Sequence, residues 1–179
     1  MFLHGAGERG EALEEVASHG FLKHVKNGKE YPFICIAPQC PDRYWGCYME
    51  SLKAFLEDIC DTLPVDKSRV YLTGLSMGGT GTFMFAMANP EKFAAIAPVC
   101  GTGIVWYGEA LENVPVRMYH GDLDETVPIT ESINMLTRIN KRGGNAELKI
   151  CYGVAHNAWD YAYAGDELVN WFLSHKKSF

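Results

Sequence analysis

Residues 68–79 read Ser-Arg-Val-Tyr-Leu-Thr-Gly-Leu-Ser-Met-Gly-Gly (SRVYLTGLSMGG). The first six are rich in β-branched and apolar side chains and have the composition of a buried strand. The rest is a G-x-S-x-G run, which between a strand and a helix forces a sharp, strained turn and lifts one serine hydroxyl above the sheet edge. Glycines at 74 and 78 suit such a turn, because a side chain at either would collide with the neighbouring strand or helix. Ser76 is therefore the candidate nucleophile, and the stretch predicts a strand–elbow–helix unit in an α/β fold.

Outward from this unit, short apolar runs alternate with helical patterns. Strands are predicted at Met1–Leu3, Phe33–Ala37, Val70–Thr73, Ala94–Val99, Val116–Tyr119 and Leu148–Tyr152. Helices are predicted at about 11–25, 48–62, 77–89, 130–142 and 159–175. Asn89-Pro90 and Gly143-Gly144 supply two of the helix stops. Strict alternation implies a mostly parallel sheet of about six strands with helices on both faces, and no linker divides residues 1–179 into a second domain. In such sheets ligands bind beyond the carboxyl ends of the strands, so partners of Ser76 should follow later strands.

Serine needs a histidine to take its proton and a carboxylate to hold that histidine's tautomer. His156 is the histidine that follows the last predicted strand, in a loop before the final helix. His19, His24 and His175 fall on helix faces or ends and should face solvent. His4 and His120 each precede a glycine directly after a strand and read as turn-packing residues. For the acid, Val116–Tyr119 runs into HGDLDETVP, with Asp122, Asp124 and Glu125 in competition. Asp122 is placed to cap the turn, Glu125 should be exposed, and Asp124 has the reach to return toward the histidine loop. The order Ser76…Asp124…His156 is that of the α/β-hydrolase arrangement.

A tetrahedral intermediate also needs two preorganised N–H donors. The amide of Met77, next after the nucleophile and at a helix N-terminus, is one candidate. The loop after the first strand, HGAGERG at 4–10, supplies the other, Ala6 first and Gly7 second.

Composition excludes several alternatives. The chain has 179 residues and a formal net charge of −6, with no basic stripe to attract nucleic acid or an anionic membrane. No apolar run approaches the length of a membrane span, and Met1-Phe2-Leu3 leads into His4-Gly5 without a signal-peptide core. Of six cysteines, none form a C-x-x-C pair, so no metal site is expected. Cys35, Cys100 and Cys151 lie in or beside strand-like runs as small hydrophobes, while Cys40 and Cys47 flank a loop that a disulfide can close. This usage favours a reducing, cytoplasmic setting.

Taken together, HGAGERG at 4–10, APQCP at 37–41, GLSMGG at 74–79, HGDLDETVP at 120–128 and His156-x-x-Trp159 resemble the phospholipase/carboxylesterase and feruloyl-esterase-like branch of the α/β-hydrolases. The resemblance spans nearly the whole chain. It implies a three-layer fold and a cofactor-free carboxylic-ester hydrolase with Ser76 as nucleophile, His156 as base and Asp124, the second aspartate of the HGxxD motif, as acid. It also implies Ala6 and Met77 as oxyanion donors. The chain departs from the family pattern by lacking the usual N-terminal strands: either it is a minimal hydrolase or a native N-terminal portion is missing from this sequence, and Phe33–Ala37 is then a sheet edge that a homodimer or a swapped segment can cover.

Only Cys100 to Pro115 (115 − 100 + 1 = 16 residues) connect two of the strands where lipases insert a lid. An open site suits small or carbohydrate-linked esters, of acetyl, short acyl or feruloyl type. Tyr44, Trp45, Trp106, Tyr107 and Trp159 are placed to ring it, with Trp45, Trp106 and Trp159 the candidates for stacking on a sugar or aromatic acyl group. A peptidase and a non-catalytic receptor on the same scaffold are the competing classes.

Overall fold

A computed structural model describes residues 1–177. Five parallel strands lie side by side in sequence order: β1 (Phe2–Leu3), β2 (Tyr71–Leu75), β3 (Ala95–Val99), β4 (Val116–Gly121) and β5 (Ala146–Cys151). The α-helices are α1 (Gly20–Lys26), α2 (Met49–Thr62), α3 (Met77–Ala88), α4 (Thr130–Lys141), α5 (Trp159–Ala162) and α6 (Glu167–Leu173). In register, Leu3 faces Gly74, Leu75 faces Val99, Val99 faces Tyr119 and Gly121 faces Cys151. The carboxyl ends of all five strands therefore form one rim.

When parallel strands follow in sequence order, crossovers of one hand place their helices on one face. The side chains show this division, because alternate strand residues point to opposite faces. Leu3, Leu72, Ile96, Val116 and Met118 pack in one core with Leu52 and Leu56 of α2, Phe83 and Phe85 of α3 and Met135 and Ile139 of α4. Phe2, Ala95, Ala97, Val99 and Tyr119 point the other way, into a core shared with Phe21 of α1 and with Leu168, Val169 and Phe172 of α6. The three layers and the α/β-hydrolase arrangement expected from the sequence are thus present.

Four expectations change. The sheet of the described residues has five strands, not about six, because Phe33–Ala37 forms no ladder. That segment, between Pro32 and Pro38, has no regular structure and receives one backbone bond from β1, Phe2 N to Ile36 O at 2.8 Å. With β1 only two residues long, it has too little neighbour to pair with. The helix expected over 11–25 becomes a 3-10 turn at Leu13–Ala17 followed by α1. They part at Gly20, whose φ is +65° and whose missing side chain makes room for the Phe2 ring. The helix expected over 159–175 is broken into α5 and α6 at Tyr163-Ala164-Gly165-Asp166. Cys40 and Cys47, which a disulfide might have joined, are both free thiols.

An apolar groove of about 350 Å3 opens beside β1, lined by Met1, Phe2, Phe33, Ile36, Tyr71 and Phe172 among others. Met1, Val70 and Tyr71 place it at the amino ends of the strands. Ser76, Asp124 and His156 do not line it. Among the described residues, no helix is long and apolar enough to cross a membrane.

Candidate active site

The elbow forms as its sequence requires. Ser76 joins β2 to α3 with φ 53° and ψ −116°, a left-handed backbone that few non-glycine residues adopt. Its amide donates to Val99 O at 2.9 Å, and its carbonyl accepts from Thr80 N at 3.0 Å, so β3 and α3 hold the strained residue from both sides. A Cβ on Gly78 would lie 1.9 Å from Leu3 O and 2.6 Å from His4 O. Only glycine lets the elbow press against the end of β1.

Opposite Ser76, the loop after β5 carries His156. Gly121 brings that loop down onto β4, since a Cβ there would lie 2.1 Å from Ala155 O. His156 Nδ1 lies 2.7 Å from Asp124 Oδ2, and its Nε2 lies 2.8 Å from Ser76 Oγ. A carboxylate only accepts, so Nδ1 carries the proton and donates to Asp124, leaving the Nε2 lone pair for the Ser76 hydroxyl. The other Asp124 oxygen, Oδ1, accepts from Thr126 N and Val127 N, both at 2.9 Å. Burial pushes the Asp124 carboxyl upward, but the His156 hydrogen bond and the two amides outweigh it and hold the pKa below the usual aspartate value. Asp124 is thereby a fixed anion under the imidazole.

Of the other carboxylates in that turn, Glu125 is exposed, and Asp122 does not cap the turn as expected: it accepts from Gly153 N of the loop after β5 at 2.7 Å, while the amides of the turn go to Asp124. Ala6 opens a 3-10 turn (Ala6–Glu8) and Met77 opens α3, so both amides are first-turn donors without an intrahelical acceptor. The contact of Gly78 with Leu3 and His4 puts these two loop starts side by side. His4 secures the first loop: its Nε2 accepts from Cys40 N at 2.9 Å and its Nδ1–H donates to Gly5 O at 2.7 Å.

The tryptophans divide. Trp159 packs edge-on to His156, with ring centroids 5.3 Å apart, and belongs to the site. Trp45 does not ring the site: it is buried, its Nε1–H donates to His4 O at 3.0 Å, and its ring fills the space above Gly81. It is a core residue supporting the HGAGERG loop. Trp106 is exposed on the 3-10 stretch Val105–Leu111, its carbonyl accepting from Arg138 of α4, and nothing ties it to the triad.

Two residues gain importance over their sequence reading. His120 is fully buried, not merely turn packing: its Nε2 lies 2.8 Å from Val127 O and 3.3 Å from Asp124 Oδ2, and its Nδ1 lies 2.8 Å from Ser132 Oγ. It therefore backs the acid at Oδ2, the same oxygen that accepts from His156. His19, expected to face solvent, is half-buried between Trp159, at 5.5 Å between rings, and Glu8, at 3.6 Å. The only sequence signal for His120 was its place four residues before Asp124.

Comparison with known proteins follows the same lines. A family model described as phospholipase/carboxylesterase matches residues 47–163. The bifunctional acetylxylan esterase/xylanase XynS20E of Neocallimastix patriciarum is 36% identical over 35% of this chain and 9% of that protein. A poly(3-hydroxyoctanoate) depolymerase of Pseudomonas fluorescens is 27% identical over 59% of this chain and 47% of its own. Among solved structures, a thermostable esterase superposes with a TM-score of 0.85 at 28% identity, over 98% of this chain and 54% of that one. The chain thus spans less than half the length of these two curated relatives.

Proposed function

Because the chain belongs to the phospholipase/carboxylesterase family of α/β-hydrolases, we propose that it is a serine carboxylic-ester hydrolase that works through an acyl-enzyme. The observation that carries this reading is the unbroken relay Ser76 Oγ to His156 Nε2 and His156 Nδ1 to Asp124 Oδ2, at 2.8 and 2.7 Å.

In the proposed cycle, the Ser76 hydroxyl gives its proton to His156 Nε2 as its oxygen attacks the ester carbonyl carbon. The imidazolium so formed is stabilised by the Asp124 anion already in place. The carbonyl oxygen gathers negative charge against the Met77 and Ala6 amides. One such donor is worth about 3–4 kcal/mol of barrier. His156 then returns the proton to the departing alcohol, and the C–O bond of the ester breaks. Water repeats the sequence on the Ser76 ester and releases the acid. The cycle uses no metal or organic cofactor.

The substrate class follows from the surroundings. The segment between β3 and β4 is spent on the 3-10 stretch Val105–Leu111, which packs on α4, so it supplies no lid. Trp159 stands beside the base as a flat apolar wall. These features support short-acyl or carbohydrate-linked esters, including acetyl and feruloyl esters. The acetylxylan esterase resemblance agrees with this choice.

A fluorophosphonate probe and p-nitrophenyl acetate test the reading. The wild-type chain should be labelled and should turn over the ester, and Ser76→Ala should do neither. An unlabelled wild type, or an active Ser76→Ala, overturns it. Faster turnover of a chromogenic peptide amide than of any ester would make it a peptidase instead.

A further inference from the structure

Cys100 has no role in the acyl-transfer cycle, yet it lies within the triad's reach. It follows β3 directly with φ at 45°, a left-handed backbone unusual for a side-chain-bearing residue. That turn aims its buried Sγ–H at His156 O, 3.1 Å away. The sulfur, an Asp124 carboxylate oxygen and a His156 ring nitrogen all lie within 4.8 Å of one another. Among the described residues no other three Cys, His, Asp or Glu side chains converge in this way. We propose that Cys100, Asp124 and His156 form a binding site for a thiophilic divalent cation, of the zinc and cadmium class, which shuts off the esterase by taking the triad apart. The inhibition rests on the function proposed above; the binding does not.

The donor set fits such an ion. Zinc holds sulfur at about 2.3 Å and imidazole nitrogen or carboxylate oxygen at about 2.0–2.2 Å, so tetrahedral ligand pairs stand about 3.4–3.6 Å apart. Here Nδ1 and Oδ2 begin at 2.7 Å, and the sulfur lies within 4.8 Å of a His156 ring nitrogen and an Asp124 oxygen. Side-chain shifts of about 1 Å bring all three to bonding distance of one centre. A thiolate and a carboxylate match the charge of a divalent cation, which lets a buried site stay neutral. Hard cations such as magnesium prefer all-oxygen ligands and are excluded by the sulfur.

The proton balance explains inhibition. The Cys100 Sγ–H donates to His156 O, so the resting thiol carries its proton. The cation displaces the thiol proton, which leaves to solvent, and takes the Nδ1 lone pair. The proton formerly on Nδ1 ends on Nε2. One proton is released per cation, and His156 now presents an N–H to Ser76 where it had offered a lone pair.

Cadmium titration of the whole chain reads binding directly, through the ultraviolet thiolate-to-cadmium charge-transfer band. Wild type and Ser76→Ala should both show one equivalent that Cys100→Ala and Cys100→Ser lack. Zinc should slow p-nitrophenyl acetate turnover by wild type at least tenfold, EDTA should restore it, and magnesium should do nothing. Whatever its basal rate, Cys100→Ser should not be slowed further by the same zinc. A band that survives in both Cys100 variants places the cation on other cysteines and overturns the proposal. Zinc inhibition that persists in Cys100→Ser assigns the effect to His156 and Asp124 alone and overturns it too. A chain that binds cadmium through Cys100 but hydrolyses no ester refutes the hydrolase reading and keeps the metal site.

Discussion

The carbonyl oxygen of Leu3 occupies the space beside Gly78 so fully that a Cβ there would lie 1.9 Å from it. Both partners are backbone, so neither can swing away. Gly78→Ala must push the elbow from β1, which separates the Met77 amide from the Ala6 loop. Overpacking of this kind costs about 1–3 kcal/mol, and losing an oxyanion donor costs about a hundredfold or more in kcat. The expected outcome, checked by urea unfolding and esterase kinetics, is both losses together. A fully active, fully stable Gly78→Ala would show that the close packing does not set the hole.

Asp124 and Asp122 sit two residues apart and should behave differently. Asp124→Asn removes the acceptor that holds Nδ1–H and, on the proposed function, should lower kcat by about ten-thousand-fold, as loss of the triad acid does in serine proteases. Asp122→Asn weakens a hydrogen bond between the loops after β4 and β5 and should leave kcat within a few fold. Its cost falls on stability, about 1 kcal/mol, the worth of one intramolecular hydrogen bond. Steady-state kinetics of the two variants decide it, and the reverse ranking would move the acid to Asp122.

Trp45 and Trp159 are separated by the same test of place. Trp45→Phe loses the bond to His4 O and leaves that buried carbonyl unpaired, which costs about 1–3 kcal/mol of stability. Its KM should not move. Trp159→Ala strips the wall beside His156, so its effect should appear in KM and kcat for aromatic and sugar esters. Parallel thermal melts and kinetics read both.

Acid should weaken the fold in two steps. Burial, helped by Arg9, holds His4 below the ordinary histidine value, although Gly5 O and Glu8 favour its charged form. A depressed folded pKa means that the contribution is whole above about 6.5 and is lost as pH falls through the lower folded value. Asp124 follows the same sign at lower pH, since its folded pKa is also depressed: its contribution is lost below the ordinary aspartate range of about 3.9. Denaturant unfolding should therefore show declining stability from about pH 6.5 downward. His4→Gln, which cannot charge, should flatten the first step. His24 is lowered as well, by burial and by Lys29 and Lys23, so the variant rather than the bare profile isolates His4.

The elbow was legible because its constraints are local. A strand, a glycine-flanked serine and a helix fix one another within a dozen residues, and the side chains that would forbid the turn are absent. Asp124 and His156 were legible through chain order, each in the loop after a strand that reaches the same rim. Phe33–Ala37 misled because strand composition describes a residue's fitness for a ladder and says nothing of whether a neighbour exists. Gly165 was in plain view yet its helix was read through, since one glycine in an aromatic, apolar run costs only about 1 kcal/mol when packing favours continuation. There packing favoured a break, with Tyr163 turned in to place its hydroxyl 2.8 Å from Thr73 Oγ1.

Sequence alone determined the elbow at Ser76, the chain order of Ser76, Asp124 and His156 and the parallel α/β architecture, because each depends on short-range sterics and periodicity. Only the tertiary structure decided that Trp45 is core and Trp159 is site, that His120 backs Asp124, and that the Cys100 thiol shares a space with the triad. Those outcomes depend on which distant backbones approach one another, and residue spacing along a chain does not encode distance across a sheet.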